Sequence, residues 1–163
     1  DMICYLLGPI QFVQAFTSNK TRKFKVEDTA TVSLVFKSGA LCTLNISDTI
    51  VAPWSYELTA GENPVYPITN QSAYMIGGTK GSLQFPNLKC WFYKNERSWW
   101  NKILVKEDNN KKDDNTLINQ IDHFADVVLK KKKPKVNGND GLVSLRILAA
   151  ITKSAKIGKK IKI

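Results

Sequence analysis

Between Trp54 and Tyr74, the aromatic residues Trp54, Tyr56, Tyr66 and Tyr74 are interleaved with Glu57, Glu62, Asn63 and Gln71, and Pro64 and Pro67 stiffen the chain. Rings that cover C–H faces, next to amides and carboxylates that bond hydroxyls, suit a polyol ligand. Trp54, Glu62, Asn63 and Tyr66 are therefore candidate substrate contacts, since a connection this long in a compact domain is usually functional. The competing reading is a loop packed on its own side chains or buried at a subunit interface. Arg97, Trp99 and Trp100, which follow a Lys94-Asn95-Glu96 turn, offer either a further wall of the same pocket or an oligomer contact. His123 completes the candidates as a possible substrate contact, against the plainer reading of a helix-surface or satisfied core histidine.

Other chemistries are poorly served. His123 is the only histidine, and no carboxylate cluster has ligand spacing around it, so no metal site is expected. Gly77-Gly78-Thr79-Lys80-Gly81-Ser82 has the glycines of a phosphate loop in the wrong order, and no long helix follows it. A hairpin turn that uses glycine's freedom at positive φ is the better reading. No Gly-x-Gly-x-x-Gly occurs, so this chain carries no dinucleotide fingerprint.

These residues need elements to hold them. Gln11 to Thr17, Thr29 to Phe36 and Ala40 to Asp48 alternate with period two, which predicts strands. Ala30, Val32, Leu34 and Phe36 form an apolar face, and Thr29, Thr31, Ser33 and Val35 a small, hydroxyl-rich one. Lys37-Ser38-Gly39 joins the second and third strands as a tight antiparallel turn. Further strands are expected over Ser55 to Thr59, Tyr74 to Gly77, Ser82 to Phe85, Leu88 to Tyr93 and Lys102 to Val105, giving one mostly antiparallel sheet. Two helices close the chain, Thr116 to Leu129 with the stripe Leu117, Ile121, Phe124 and Val128, and Asp140 to Ile157 with Leu142, Leu145, Ala149 and Ile151. Both are expected to cover the apolar face of the sheet. The polar stretch from Glu107 to Asn115 reads as a mobile surface loop. The fold class is thus α+β, an open and mostly antiparallel sheet with helices on one face.

With 163 residues, 43% of them hydrophobic and sixteen aromatic, the chain can bury a full core, and one domain over 1–163 is expected. Cys4, Cys42 and Cys90 are odd in number, far apart and in apolar contexts, which predicts reduced thiols and a cytoplasmic setting. No apolar run approaches the roughly 18 to 20 residues of a membrane span. The net charge of +10 raises the possibility of nucleic acid, but lysine outnumbers arginine 21 to 3 and is spread along the chain. A solvated lysine-rich surface is the better reading, and the run Lys130 to Lys133 reads as a cationic helix end before Pro134. No nucleic-acid or membrane partner is expected. Asp1 to Leu7 has helical spacing and a Gly8-Pro9 stop but no capping box, which predicts a helix begun upstream.

Several strings in register carry a resemblance. Val26-Glu27-Asp28-Thr29-Ala30, Phe36-Lys37-Ser38-Gly39-Ala40, Gly78-Thr79-Lys80-Gly81-Ser82-Leu83, Gln120 with His123-Phe124, Pro134, and Ala150-Ile151 with Ser154-Ala155 together resemble the C-terminal domain of the Gfo/Idh/MocA oxidoreductases. The family takes its name from glucose-fructose oxidoreductase, inositol dehydrogenase and rhizopine catabolism. The resemblance implies a parent with an N-terminal Rossmann domain, outside this chain, that binds NAD or NADP. It also implies hydride transfer to or from a carbon bearing a hydroxyl on a sugar, cyclitol or related polyol, and a homo-oligomer assembled through the sheet face. The family's catalytic elements, the Lys of Glu-Lys-Pro and a His just upstream of this opening helix, are not in the chain. No catalytic or cofactor-binding residue is assigned to it, and the fragment alone is expected to be inactive. The alternative is a stand-alone, non-catalytic binding or scaffold domain.

Overall fold

A computed structural model describes residues 1–107 and 115–163. The polar stretch expected as a loop therefore falls largely outside the described residues. The strands form two four-stranded antiparallel sheets instead of one, and the chain divides into two compact units, 1–50 with 133–163 and 51–132.

The first unit begins with α1 (Met2–Leu7), followed by β1 (Ile10–Ser18), β2 (Thr29–Phe36) and β3 (Leu41–Ser47). The alternation read from the sequence is realised residue by residue. Val13, Ala15, Val32, Leu34 and Phe36 are buried on one face, and Thr31 and Ser33 are exposed on the other. Each large aliphatic or aromatic side chain fully buried there stabilises by about 1.5–3 kcal/mol. Gly39 closes the β2–β3 turn at φ +87°, a left-handed conformation that costs glycine little, and its N–H donates to the Phe36 carbonyl at 3.0 Å.

The long β1–β2 connection is held by Asp28. Its carboxylate accepts the Thr21 and Arg22 N–H groups at 3.1 and 2.9 Å and the Thr29 hydroxyl at 3.0 Å. The Arg22 N–H first, then the other hydrogen bonds, hold its carboxyl below the ordinary carboxylate range against the opposing pull of burial. That gives Asp28 and Thr29 of the Val26-Glu27-Asp28-Thr29-Ala30 string a physical task, since one carboxylate ties the loop to the strand it enters.

The apolar face is covered by α4 (Gly138–Ile157), with Ile3, Cys4 and Leu7 of α1 also against the core. Asn137 and Asp140 form a capping box at the start of α4, which begins two residues earlier than the periodicity predicts. Its buried stripe is Ile147, Ala150 and Ser154 with Ile151 half-buried beside them, whereas Leu142, Leu145 and Ala149 of the predicted stripe are exposed. Small residues at 150 and 154 bring the helix close to the sheet, and this outweighs the greater hydrophobicity of the leucines.

After α4 the chain adds β8 (Ile161–Lys162), a two-residue strand missing from the sequence reading, to complete the order β3-β2-β1-β8. The pairs Phe12–Lys162 and Val13–Ile161 would bring Ala15 opposite Lys159 if the ladder continued. A side chain occupies that place. Ser154 Oγ accepts the Ala15 N–H at 3.0 Å and donates to the Lys159 carbonyl at 2.7 Å.

The second unit contains α2 (Tyr56–Ala60), β4 (Tyr74–Gly77), β5 (Ser82–Phe85), β6 (Lys89–Phe92), β7 (Leu104–Glu107) and α3 (Thr116–Val128), with the strands in order β4-β5-β6-β7. The strand expected over Ser55 to Thr59 is instead α2. Ser55 Oγ accepts the Leu58 N–H at its start and Gly61, at φ +68°, ends it. Five residues are too few for period two to override two helix caps. The Gly77–Ser82 hairpin is present, but neither Gly78 nor Gly81 has positive φ. Close approach is the reason for glycine there: a Cβ on Gly78 would lie 2.9 Å from the Gly81 carbonyl oxygen, and one on Gly81 2.8 Å from that of Trp91. The stripe expected to be covered on α3, Leu117, Ile121, Phe124 and Val128, is 61–68% exposed, and the helical residues packed on the core of the first unit come from α4 and α1.

Candidate functional site

Alternation along β4, β5 and β6 gives the second sheet two chemically different faces. On one, Tyr74 pairs with Phe85 across β4–β5 and Tyr56 of α2 stacks on Phe85 at 5.9 Å between centroids. The Tyr56 hydroxyl donates to Glu62 Oε1 at 2.8 Å. Burial first, and Glu62 second, push that phenol up to about 12. Tyr74 is raised as well, again chiefly by burial.

On the other face Met75, Gln84 and Lys89 stand in one row across the three strands, and Lys89 Nζ meets Glu107 Oε1 of β7 at 2.9 Å. This row floors a cleft of about 240 Å³. Asn70, Gln71 and Ser72 line it from the approach to β4, Asn87 from the β5–β6 turn, and Trp54 from the segment leading into α2. Thr69 fixes that neighbourhood, donating its hydroxyl to the Pro53 carbonyl at 2.8 Å and its N–H to that of Leu58 at 2.7 Å. The lining has amide and hydroxyl groups, one ion-paired lysine and no carboxylate, histidine or thiol. It can bind through hydrogen bonds and ring contact, and it has no group poised to move a proton near neutral pH.

Of the candidate contacts expected from sequence, Trp54 lines this cleft, together with Gln71 of the same segment. Glu62 is engaged by Tyr56. Asn63 closes a turn by accepting the Val65 N–H at 3.1 Å, and Tyr66 is 44% exposed beside it. Arg97, Trp99 and Trp100 lie on the connection between β6 and β7, where the two indoles are 98% and 95% exposed. His123 is half-buried on α3. The sequence reading missed Ser72, Gln84, Asn87 and Lys89. Gln84 and Lys89 had a signal: they fall at the polar positions of strands whose alternate positions are Phe85 and Cys90.

A dinucleotide site needs parallel strands joined through a glycine-rich turn to a helix. Every strand pair among the described residues is antiparallel, and the glycine-rich segment is a hairpin, so these residues do not fit such a cofactor. Among the described residues no group of three or more His, Cys, Asp or Glu side chains could hold a metal ion, and no helix is long and apolar enough to cross a membrane.

Open antiparallel sheets with helices define an α/β domain. The chain belongs to the Gfo/Idh/MocA family: the sequence model described as "Oxidoreductase family, C-terminal alpha/beta domain" matches residues 1–163.

Similar solved structures include the WlbA dehydrogenase from Chromobacterium violaceum in complex with NADH and UDP-GlcNAcA, at 24% identity and TM-score 0.64, covering 99% of this chain and 42% of that one. The aldose-aldose oxidoreductase from Caulobacter crescentus complexed with glycerol has 23% identity and TM-score 0.64, over 98% and 43%. Levoglucosan dehydrogenase, in complex with NADH and levoglucosan, has 17% identity and TM-score 0.68, over 100% and 47%. The chain thus spans less than half the length of these relatives, and at such identities the likeness is one of fold. No curated protein sequence matches the chain.

Proposed function

We propose that this chain is the substrate-side and oligomerisation half of an NAD(P)-dependent oxidoreductase acting on a sugar, cyclitol or related polyol. The observation that carries the reading is the match of a C-terminal oxidoreductase domain along the whole of 1–163. On this reading NAD or NADP is bound by a Rossmann domain of the parent, and this chain supplies walls of the substrate pocket. Trp54, Glu62, Asn63, Tyr66, Arg97, Trp99, Trp100 and His123 remain the proposed pool for those walls.

The open face of the first sheet is the proposed assembly surface of a homo-oligomer. Gln14, Ser33 and Thr43 form one row across it, with Phe16, Thr31 and Asn45 beside them. Phe16 and Leu41 are 67% and 77% exposed on that face, which gives a second copy apolar area to bury. Unpaired Cys4, Cys42 and Cys90 favour a reducing, cytoplasmic setting, and the dispersed lysines argue against a nucleic-acid partner.

The test is to assay the full-length protein for nicotinamide reduction with NAD and with NADP against a panel of aldoses, cyclitols and sugar acids, with light scattering for its mass. Turnover of one class by an oligomer is the expected result. A protein that binds a sugar but transfers no hydride would instead be a binding module.

A further inference from the structure

The start of α4 carries the chain's only Asn-Gly pair, Asn137-Gly138. Asn137 is the N-cap and Gly138 the first helical residue, and both are exposed. The Asn137 carboxamide is held in place, its Oδ1 accepting the Asn139 N–H at 2.8 Å. The main-chain N–H of Asn137 donates to Asp140 Oδ2 at 2.8 Å, which fixes the backbone on its other side. The Gly138 N–H belongs to the first turn, whose N–H groups have no intrahelical acceptor. A Cβ built on Gly138 meets nothing within 4 Å, so the space beside that nitrogen is open. Asp140-Gly141, the chain's only Asp-Gly pair, is set differently, because the Gly141 N–H donates to the Asn137 carbonyl at 3.2 Å within the helix.

We propose that Asn137 is a site of spontaneous covalent modification, passing through a succinimide to aspartate and isoaspartate. Solvent hydroxide takes the Gly138 amide proton and the nitrogen attacks Asn137 Cγ. The Cγ–Nδ2 bond then breaks, and the departing group takes a proton from water and leaves as ammonia. The Asn139 N–H that already bonds Oδ1 stabilises the negative charge that develops on this oxygen in the tetrahedral intermediate. The partial positive charge of the helix N-terminus favours that charge and the deprotonated Gly138 nitrogen alike. Water opens the ring at one of its two carbonyl carbons. Opening at Cγ restores the main chain with aspartate at 137, and opening at the main-chain carbon leaves isoaspartate, whose backbone is one methylene longer. The reaction consumes water, releases ammonia and needs no oxidant, reductant or enzyme. Aspartate keeps the capping acceptor and adds a charge suited to the helix dipole, whereas the longer backbone of isoaspartate displaces the cap. Since α4 covers the core of the first unit, this one linkage ties the age of the chain to the stability of its fold.

Incubation of the folded protein at neutral and at raised pH, followed by peptide mapping with mass spectrometry, tests it. The expected result is first-order replacement of amide by acid at Asn137, at a rate that rises in proportion to hydroxide, with Asp140 unchanged. Isoaspartate is read out by methyl transfer from S-adenosylmethionine with an isoaspartate-specific methyltransferase. Gly138→Ala fits the open space and should slow the conversion about tenfold or more, because a Cβ restricts the backbone that brings the nitrogen to Cγ. Asn137→Asp should melt no lower than the parent, while the isoaspartate fraction of aged protein should melt about 2–5 °C lower, through loss of the cap. Conversion of Asn137 in the chain unfolded in urea but not in the folded protein over the same period overturns the site, since the cap then shields the pair. Equal rates in Gly138→Ala and the parent, with both folds intact by circular dichroism, overturn the succinimide route. Comparable conversion at the other asparagines overturns the selectivity for Asn137.

Discussion

Replacing Ser154 with alanine should loosen the first sheet at one identifiable hydrogen bond. Ser154 is fully buried, and its hydroxyl links the N–H of Ala15, itself 1% exposed, to the carbonyl of Lys159. Alanine fits the space but offers no acceptor, so the Ala15 N–H is left buried and unpaired. That costs about 1–3 kcal/mol, while the carbonyl of exposed Lys159 turns to water at little cost. For a chain of this size the loss corresponds to a fall in Tm of about 3–10 °C. Urea denaturation followed by circular dichroism measures the stability, and amide hydrogen exchange places the effect. Ala15 should lose protection in Ser154→Ala while the amides of β2 and β3 that pair with each other keep theirs relative to global unfolding. A variant within about 0.5 kcal/mol of the parent, with the Ala15 amide still protected, would show that the backbone closes the ladder unaided and refute the reasoning.

Asp28→Asn should destabilise the protein at neutral pH. Its folded pKa lies below the ordinary 3.8, so its contribution is full above that value and is lost as pH falls through the folded pKa. Urea midpoints of parent and variant should therefore converge in strong acid. Tyr56, pushed up to about 12, should be among the last phenols to ionise in an alkaline absorbance titration, and its stabilising effect is lost as pH rises from about 10 through that value. Glu62→Gln should lower the Tyr56 value only in part, because burial is the larger cause. Gly81→Ala should cost about 1–3 kcal/mol, since the new Cβ meets backbone at 2.8 Å, whereas Gly141→Ala in α4 meets nothing and should gain about 0.5–1 kcal/mol. Thermal melts of the two variants should shift in opposite directions.

The first sheet was legible in the sequence because β1 to β3 are long and strictly alternating, and because a tight turn at Gly39 fixes the pairing of β2 with β3. What escaped was set by distant or very short features. No periodicity announces β8, a two-residue strand preceded by Lys159, whose carbonyl Ser154 ties to Ala15 of β1. The helical character of Tyr56–Ala60 lay in its caps, not in its period. Leucine content pointed to the wrong stripe of α4, because close approach to a sheet is won by small side chains at 150 and 154. At the site, aromatic content led to Trp54, but also to exposed Trp99 and Trp100 and to Glu62, which is spoken for by Tyr56. Ser72 is an ordinary residue in sequence, and only its burial without a hydrogen-bond partner among the described residues sets it apart.

The two-faced character of the second sheet separates what can vary from what cannot. Along β4 and β5, Tyr74 and Phe85 hold the aromatic stack, while their immediate neighbours Met75 and Gln84 point the other way into the cleft. Substitution at 75, 84 or 89 changes the shape and polarity of the cleft without touching the rings that stabilise the unit. The chemistry of the cleft can therefore drift, or be redirected by a small library at those positions, one residue away from packing that has to stay as it is.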